Sequence, residues 1–216
     1  MIVDERIGVY INSLEQEMPE ILCRIEQEAL EEHVPIIKKP TQGLLRFLMC
    51  SKKPKRILEV GTAVGFSSLF MREYMPKETI ITTIEKVPKR IAKAKENFKM
   101  AEAEDRIVLL EGDAADILKE LVSKKERYDF IFMDAAKGQY LRFFSDVMAL
   151  LEKDGLLVSD NVLQDGDIVE SRYAVTRRNR TIHFRMREYL YTLTHSPQLQ
   201  TVVLPIGDGV TLSTML

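Results

Sequence analysis

Apolar and polar positions alternate along this chain in two rhythms. Short, nearly unbroken apolar runs mark strands at Arg56–Val60, Ile80–Glu85, Ile107–Glu111, Phe130–Asp134 and Gly155–Ser159. Buried parallel strands read this way because both of their faces are covered. Between them lie stretches of helical period: Ser67–Tyr74, Pro88–Ala101 with proline at its first turn, Ala115–Ser123 and Leu141–Leu151. Strict strand–helix alternation predicts an α/β fold with a doubly wound, mostly parallel sheet, Rossmann-like in its winding. The flanks follow another pattern. Val3, Ile7, Ile11 and Leu14 repeat at helical spacing. Pro19 opens a second helical stretch with Ile21, Leu22, Ile25, Ala29 and Leu30, and Pro40 introduces a short helix over Gln42–Cys50. At the other end a helix over Thr181–Thr194 precedes two β-rich runs, Thr201–Pro205 and Val210–Thr214. These runs flank Ile206-Gly-Asp-Gly209, a hairpin signal, so the sheet is expected to end in an antiparallel pair.

Two strands stop abruptly at acids. Tyr128-Asp-Phe-Ile-Phe-Met-Asp134 continues into Ala-Ala-Lys137, and Gly155-Leu-Leu-Val-Ser ends at Asp160-Asn161. The carboxyl ends of strands are where open α/β sheets bind ligands. Asp134, Asp160 and Asn161 thus offer three hard oxygen ligands at one sheet edge, suited to Mg²⁺ or Ca²⁺ rather than zinc. Lys137 lies three residues beyond the first carboxylate, an amine able to take a proton from a hydroxyl held there. Taken singly, each residue has a simpler use: Asp134 as a helix cap, Asp160-Asn161 as a turn, Lys137 as a solvated lysine.

The chain's 216 residues fit one domain, 1–216, with residues 1–50 as a helical cap or subunit-contact region and 55–216 as the core. Hydrophobic residues make up 45% and charged residues 30%, which suits a globular chain rather than a disordered one. A formal net charge of -2 gives the whole molecule no bias toward polyanions, so charge has to be read locally. Cys23 and Cys50, each beside apolar residues and without ligand spacing, are expected to be buried reduced thiols of a cytoplasmic protein. His33, His183 and His195 have no ligand spacing and receive no role. Neither a signal peptide nor a run long enough to span a membrane is evident.

After the first strand comes Glu59-Val-Gly61-Thr62-Ala-Val-Gly65-Phe-Ser67, a turn into a helix whose glycines permit close approach of a ligand. It lacks the G-x-G-x-x-G spacing that cradles a pyrophosphate. Glu85 ends the second strand, where a carboxylate can accept both ribose hydroxyls of an adenosine. Gly112-Asp113-Ala114 ends the third, placed for an adenine edge. Three consecutive strand ends therefore suit an adenosine cofactor. The missing phosphate fingerprint, together with the acids Glu59, Glu85, Asp113 and Asp134, favours the cationic sulfonium of S-adenosylmethionine over NAD.

These stretches, with Ile206-Gly-Asp-Gly209, resemble the class I S-adenosylmethionine-dependent, metal-dependent O-methyltransferases of the catechol and caffeoyl-CoA type. The resemblance spans Ile57 to the C-terminus. It implies a seven-stranded sheet and a homodimer. It also implies Mg²⁺ on Asp134, Asp160 and Asn161, with Lys137 as general base. Glu85 would hold the ribose, Asp113 and Ala114 the adenine, and Gly61 and Ser67, in the loop with Glu59, Thr62 and Gly65, the methionine end.

Chelation asks for two adjacent oxygens on the acceptor, which a catechol or a 5-hydroxyuridine offers equally. Arg172 to Arg187 holds six arginines and no acid, with Tyr173 and Phe184 as stacking surfaces, the footprint of a nucleic-acid backbone. Asp134-Ala-Ala-Lys-Gly-Gln-Tyr140 and this segment resemble the bacterial tRNA 5-hydroxyuridine methyltransferases, which make 5-methoxyuridine at wobble position 34. The first expectation is thus a tRNA enzyme docking through Arg177, Arg178 and Arg180, and the alternative is a small catechol or coenzyme A ester as acceptor. The bland reading of the arginines is a solvated helix face.

Overall fold

Apolar strands buried on both faces need helices on both faces, and the chain supplies them. The structure is a computed structural model that describes residues 4–171 and 173–216, apart from the side chains of Glu5 and Asp165. In chain order it runs α1 (Glu5–Ser13), α2 (Glu20–Glu31), α3 (Lys39–Lys52), β1 (Arg56–Val60), α4 (Phe66–Glu73), β2 (Ile80–Glu85), α5 (Pro88–Met100), β3 (Ile107–Glu111) and α6 (Ala114–Ser123). It continues with β4 (Tyr128–Met133), α7 (Tyr140–Leu150), β5 (Leu151–Ser159), α8 (Arg180–His195), β6 (Leu199–Leu204) and β7 (Val210–Met215). A single 3₁₀ turn lies at Lys137–Gln139 and a longer 3₁₀ helix at Gln164–Val169.

The strands form one seven-stranded sheet in the order β3-β2-β1-β4-β5-β7-β6. β1 to β5 pair in parallel, whereas β7 is antiparallel to both β5 and β6, as the hairpin signal predicts. Strand order reverses between β1 and β4, so a crevice opens beyond the carboxyl ends of those two strands. On one face, Leu22 and Ile25 of α2, Leu45 and Met49 of α3, Phe66 and Phe70 of α4 and Phe98 of α5 cover the sheet. On the other, Leu118 of α6, Tyr140 and Val147 of α7 and Met186 and Tyr189 of α8 do so. Each such side chain contributes about 1.5–3 kcal/mol by leaving water.

Some expectations shift. β5 begins at Leu151, directly after α7, although Glu152, Lys153 and Asp154 are exposed; the pairing slips between Tyr128 and Phe130 to admit them. α3 starts at Lys39, ahead of the expected Gln42, because Pro40 sits inside its first turn, where its missing N–H costs nothing, and it runs on past Cys50 to Lys52. On α1 the spaced apolar side chains Ile7, Ile11 and Leu14 are exposed rather than buried, and Val3 lies outside the described residues. Cys23 and Cys50 are free and exposed, contrary to the expectation of burial, because each sits on the outward face of its helix. Among the described residues no helix is long and apolar enough to cross a membrane.

Candidate active site

The crevice at the β1/β4 switch is a cavity of about 780 Å³. Its floor is built by Gly61. With φ at +116°, a Cβ there would come within 2.2 Å of the backbone oxygen of Asp134, so only glycine lets the ends of β1 and β4 meet. The N–H groups of Gly61 and Thr62 both donate to Ile84 O at 3.1 Å, tying the loop to β2. From α5, Asn97 donates to Val64 O at 2.8 Å, and the Phe98 ring fills the space a Cβ on Gly65 would take.

One half of the cavity is lined by the acids that close β2 and follow β3. The carboxylate of Glu85 accepts from Ala63 N at 2.9 Å on one oxygen and from Lys86 N and Val87 N at 2.9 and 3.0 Å on the other. A carboxylate has lone pairs beyond these three, and Glu85 lines the cavity with them. Asp113 caps α6, accepting from Ala115 N at 3.0 Å and pairing with Lys86 at 3.3 Å. The Ala115 N–H first, and Lys86 second, hold its carboxyl below the usual range. Ala114 lines the cavity beside it.

The other half gathers acids. Asp134 follows β4 and is half-buried; its Oδ1 accepts the Asn161 amide at 2.8 Å. Asp160 is 3% exposed and accepts the Asn161 N–H at 2.8 Å. Tyr140, fully buried, donates across the Met133 and Asp160 carbonyls, each at 3.0 Å, and so locks the ends of β4 and β5 together. A third carboxylate, Asp208, arrives from the β6–β7 turn. Leu163 N donates to Asp208 O at 2.8 Å and Val162 N to Gly209 O at 2.9 Å, which docks that turn against the residues after Asn161. The Asp208 carboxylate also pairs with Lys38, just ahead of α3. Burial, then the neighbouring acids, raises the pKa of Asp160; burial chiefly raises that of Asp134, and the Lys137 charge opposes both.

Two neighbouring carboxylates that both resist ionisation make a site short of positive charge, which a divalent cation would supply. Among the described residues no three His, Cys, Asp or Glu side chains are arranged to hold an ion; here the donor set is two carboxylates and an amide. Asn161 turns its nitrogen to Asp134, and half a rotation of that amide presents its oxygen instead. The residues therefore fit a hard, oxygen-seeking cation.

Most expected site residues converge. Gly61, Thr62, Ser67, Glu85, Asp113, Ala114, Asp134, Lys137 and Asn161 line the cavity, with Asp160 directly behind. Glu59 does not: as an expected cofactor contact it is corrected, since the pleat of β1 turns it away from the cavity and it is fully buried among hydroxyls. Gly65 shapes the loop from beneath and does not face the ligand space. The arginine segment stands apart from the cavity. Among the described residues, none of Arg177, Arg178, Arg180, Arg185 and Arg187 lines the cavity. Arg180, Arg185 and Arg187 donate to the carbonyls of Val175, Gly138 and Ile168, binding loops to α8, and Arg172 lies outside the described residues. Residues the sequence did not single out also line the cavity: Arg90, Arg142 and Phe143, and Pro35 to Ile37 from the N-terminal region. That segment, rather than a helix, covers the site. Asp208 stood within the hairpin signal and Tyr140 at the end of the Asp134–Tyr140 stretch, and the sequence alone assigned neither side chain a role at the site.

A seven-stranded sheet of this order, with its crevice at the switch point and acids at its strand ends, is the Rossmann-like fold of the methyltransferase class. Residues 12–216 match the O-methyltransferase family, and the chain belongs to it. A catechol O-methyltransferase of Niastella koreensis is 32% identical over 169 residues, covering 77% of this chain and 76% of that protein. A caffeoyl-CoA O-methyltransferase of Citrus natsudaidai is 29% identical over 202 residues, 87% of each. Among solved structures, one from Staphylococcus aureus superposes with a TM-score of 0.89 at 30% identity over 99% of this chain and 100% of that one. A Podospora anserina methyltransferase with S-adenosylhomocysteine bound gives 0.86 at 27% identity, covering 98% and 94%.

Proposed function

We propose that this protein moves the methyl group of S-adenosylmethionine to one of two adjacent oxygens on a small catechol-type acceptor, with Mg²⁺ held by Asp134, Asp160 and Asn161. One observation carries this reading: a single cavity is lined at one end by Glu85 and Asp113 and at the other by Asp134, Asn161 and Lys137. Family membership and the catechol and caffeoyl-CoA relatives support it. When bound, the cofactor supplies an electrophilic methyl group and the cation supplies positive charge beside the acceptor oxygens. The chain does the rest. In its neutral amine form, the form the positive charge of a bound cation beside it would favour, Lys137 on its 3₁₀ turn takes the proton of the acceptor hydroxyl, since only an oxygen freed of its proton attacks well. Glu85 and the Gly61–Ser67 loop fix the donor's angle. Pro35 to Ile37 and Phe143 give the cavity an apolar wall that limits water. Fixing both reactants in line removes much of the entropic barrier.

A second reading, the 5-hydroxyl of 5-hydroxyuridine at tRNA position 34, rests on Arg177 and Arg178. Both are exposed ahead of α8, and the Arg180 guanidinium stands 5.9 Å from the ring centre of exposed Tyr173. The small acceptor takes precedence because those arginines stand away from the cavity. The same reading takes the chain as one cytoplasmic domain that pairs into a homodimer through the exposed apolar face of α1 (Ile7, Tyr10, Leu14); light scattering on the purified protein checks the dimer. Transfer of labelled methyl to a catechol panel, a caffeoyl-CoA ester and tRNA bearing 5-hydroxyuridine, with Mg²⁺ or EDTA, tests the acceptor. Labelling of catechol or the ester, abolished by EDTA and unchanged when Arg177, Arg178 and Arg180 become alanine, is expected. Labelling of tRNA alone, lost in that triple variant, would replace the small acceptor with RNA.

A further inference from the structure

The carboxylate behind the cavity raises a question of proton count. Three hydroxyls converge on Glu59: Ser67 on Oε1, and Ser68 and Thr83 on Oε2. The Thr62 hydroxyl lies 2.6 Å from that of Thr83. Each hydroxyl owns one proton. Thr83 gives its proton to Glu59, so Thr62 is the donor in the Thr62–Thr83 bond. With Glu59 ionised, all four protons are assigned.

Ser67 is the one donor to Glu59 that also lines the cavity. Its proton being on Glu59, it shows the cavity only lone pairs. Ser67 is the second residue of α4, in the first turn, whose N–H groups have no partner within the helix and whose dipole favours an anion. The α-carboxylate of an S-adenosyl cofactor is such an anion, and this step rests on the cofactor assignment above. Lone pairs of Ser67 would oppose it.

Two rearrangements resolve the conflict. Ser67 can turn its proton outward, which leaves an ionised, fully buried carboxylate one donor short; removing a partner from a buried charge is costly. Alternatively, a solvent proton binds Glu59 Oε1 and donates to Ser67 Oγ, while the Ser67 O–H swings to the α-carboxylate. The second route breaks no hydrogen bond without replacing it. We propose that Glu59 is a positioning residue: by taking up one proton it turns the Ser67 hydroxyl toward the cofactor carboxylate, so cofactor binding consumes a proton. The groups facing Glu59 agree with this. Burial first raises its pKa to about 7; the Ser67 and Ser68 hydroxyls of α4 and that of Thr83 on β2 oppose the rise, and the Asp134 carboxylate beyond β4 adds to it.

Calorimetric titration of the full-length protein with S-adenosylhomocysteine at pH 8, in two buffers of different ionisation enthalpy and with EDTA present, tests this. The expected result is uptake of up to one proton, with affinity falling by up to about tenfold per pH unit above pH 7. In Glu59→Gln the amide N–H donates to Ser67 as the protonated carboxyl would. That variant should bind with little pH dependence, and the difference from wild type removes contributions of the ligand's own ammonium. Ser67→Ala should bind more weakly at every pH and lose the uptake. Binding heats that are identical in both buffers, or a pH dependence unchanged in Glu59→Gln, overturn the proposal and leave the cofactor assignment standing. No binding of S-adenosylhomocysteine would sink the assignment and the proposal together. Should Glu59→Gln fail to fold, the two-buffer measurement on wild type decides alone.

Discussion

Replacing Glu59 by glutamine also tests what that carboxyl costs the fold without any ligand. The side chain is fully buried, and burial raises its pKa from 4.5 to about 7. A shift of about 2.5 units corresponds to about 3 kcal/mol between the two protonation states. For an acid whose pKa is raised on folding, the folded chain binds the proton more tightly than the unfolded one. Stability from that proton is fully present below pH 4.5 and disappears as pH rises through about 7. Glutamine keeps the shape and does not titrate. Wild type should therefore lose about 3 kcal/mol relative to Glu59→Gln between pH 4.5 and 7.5, whatever offset the substitution itself introduces. Urea unfolding of both proteins at half-unit pH steps, with EDTA present, reads this difference directly. Two curves that stay parallel across the interval would refute the reasoning, because they would mean that Glu59 ionises as easily inside the protein as in the unfolded chain.

The acidic half predicts that Mg²⁺ at a hundred times its dissociation constant adds about 2.7 kcal/mol, on the order of 5–10 °C in melting temperature for a chain of this size. At one fixed Mg²⁺ concentration the gain should be larger at pH 8 than at pH 5.5, because the raised pKa values of Asp134 and Asp160 let protons compete at the lower pH, and Asp160→Ala should remove it; thermal melts at both pH values check this. Lys137→Met should lower kcat by about 10²–10⁴-fold while leaving the dissociation constant of S-adenosylhomocysteine nearly unchanged, since only proton removal is lost. An equal loss in cofactor binding would make Lys137 a cofactor contact instead. Tyr140→Phe removes one hydroxyl shared by two strand-end carbonyls and should cost about 1–2 kcal/mol in urea unfolding, together with weaker Mg²⁺ binding.

Strand positions were readable because their signal is physical: β1, β2 and β3 begin and end where the apolar-rich runs do, and on β1 and β2 every residue after the first is buried, the polar Glu59, Thr82, Thr83 and Glu85 among them. β5 defeated that logic. Its first turn of backbone is strand by pairing alone, with exposed Glu152 to Asp154, and no side-chain pattern announces backbone pairing. At the site, the acids were readable because each interrupts an apolar run. What holds them was not. Tyr140 looks like any helix-face aromatic until its hydroxyl is seen between two strand ends. The arginine run is legible only as a line of like charges, which looks uniform, whereas the fold assigns Arg185 to the carbonyl of Gly138, in the turn that carries Lys137.

The acidic half also shows why the N-terminal region cannot be an ornament on a finished sheet. Asp134, Asp160 and Asp208 come from three separate strand ends, and the two sheet-edge acids Asp134 and Asp160 each feel the charge of Asp208. Like charges gathered in a poorly hydrated crevice repel and resist ionisation, so their gathering has to be offset locally. The counter-charges come from outside the strands: Lys137 from the turn after β4, and Lys38 from the segment leading into α3. Thr41 of α3 stands where a side chain on Gly207 would clash, which fixes how closely the turn carrying Asp208 approaches that helix. The segment that brings Lys38 also brings Pro35, Ile36 and Ile37 to the cavity wall. One stretch of chain therefore both neutralises the third carboxylate and closes the side from which water would enter, so the site is complete only when the N-terminal region has docked on the sheet.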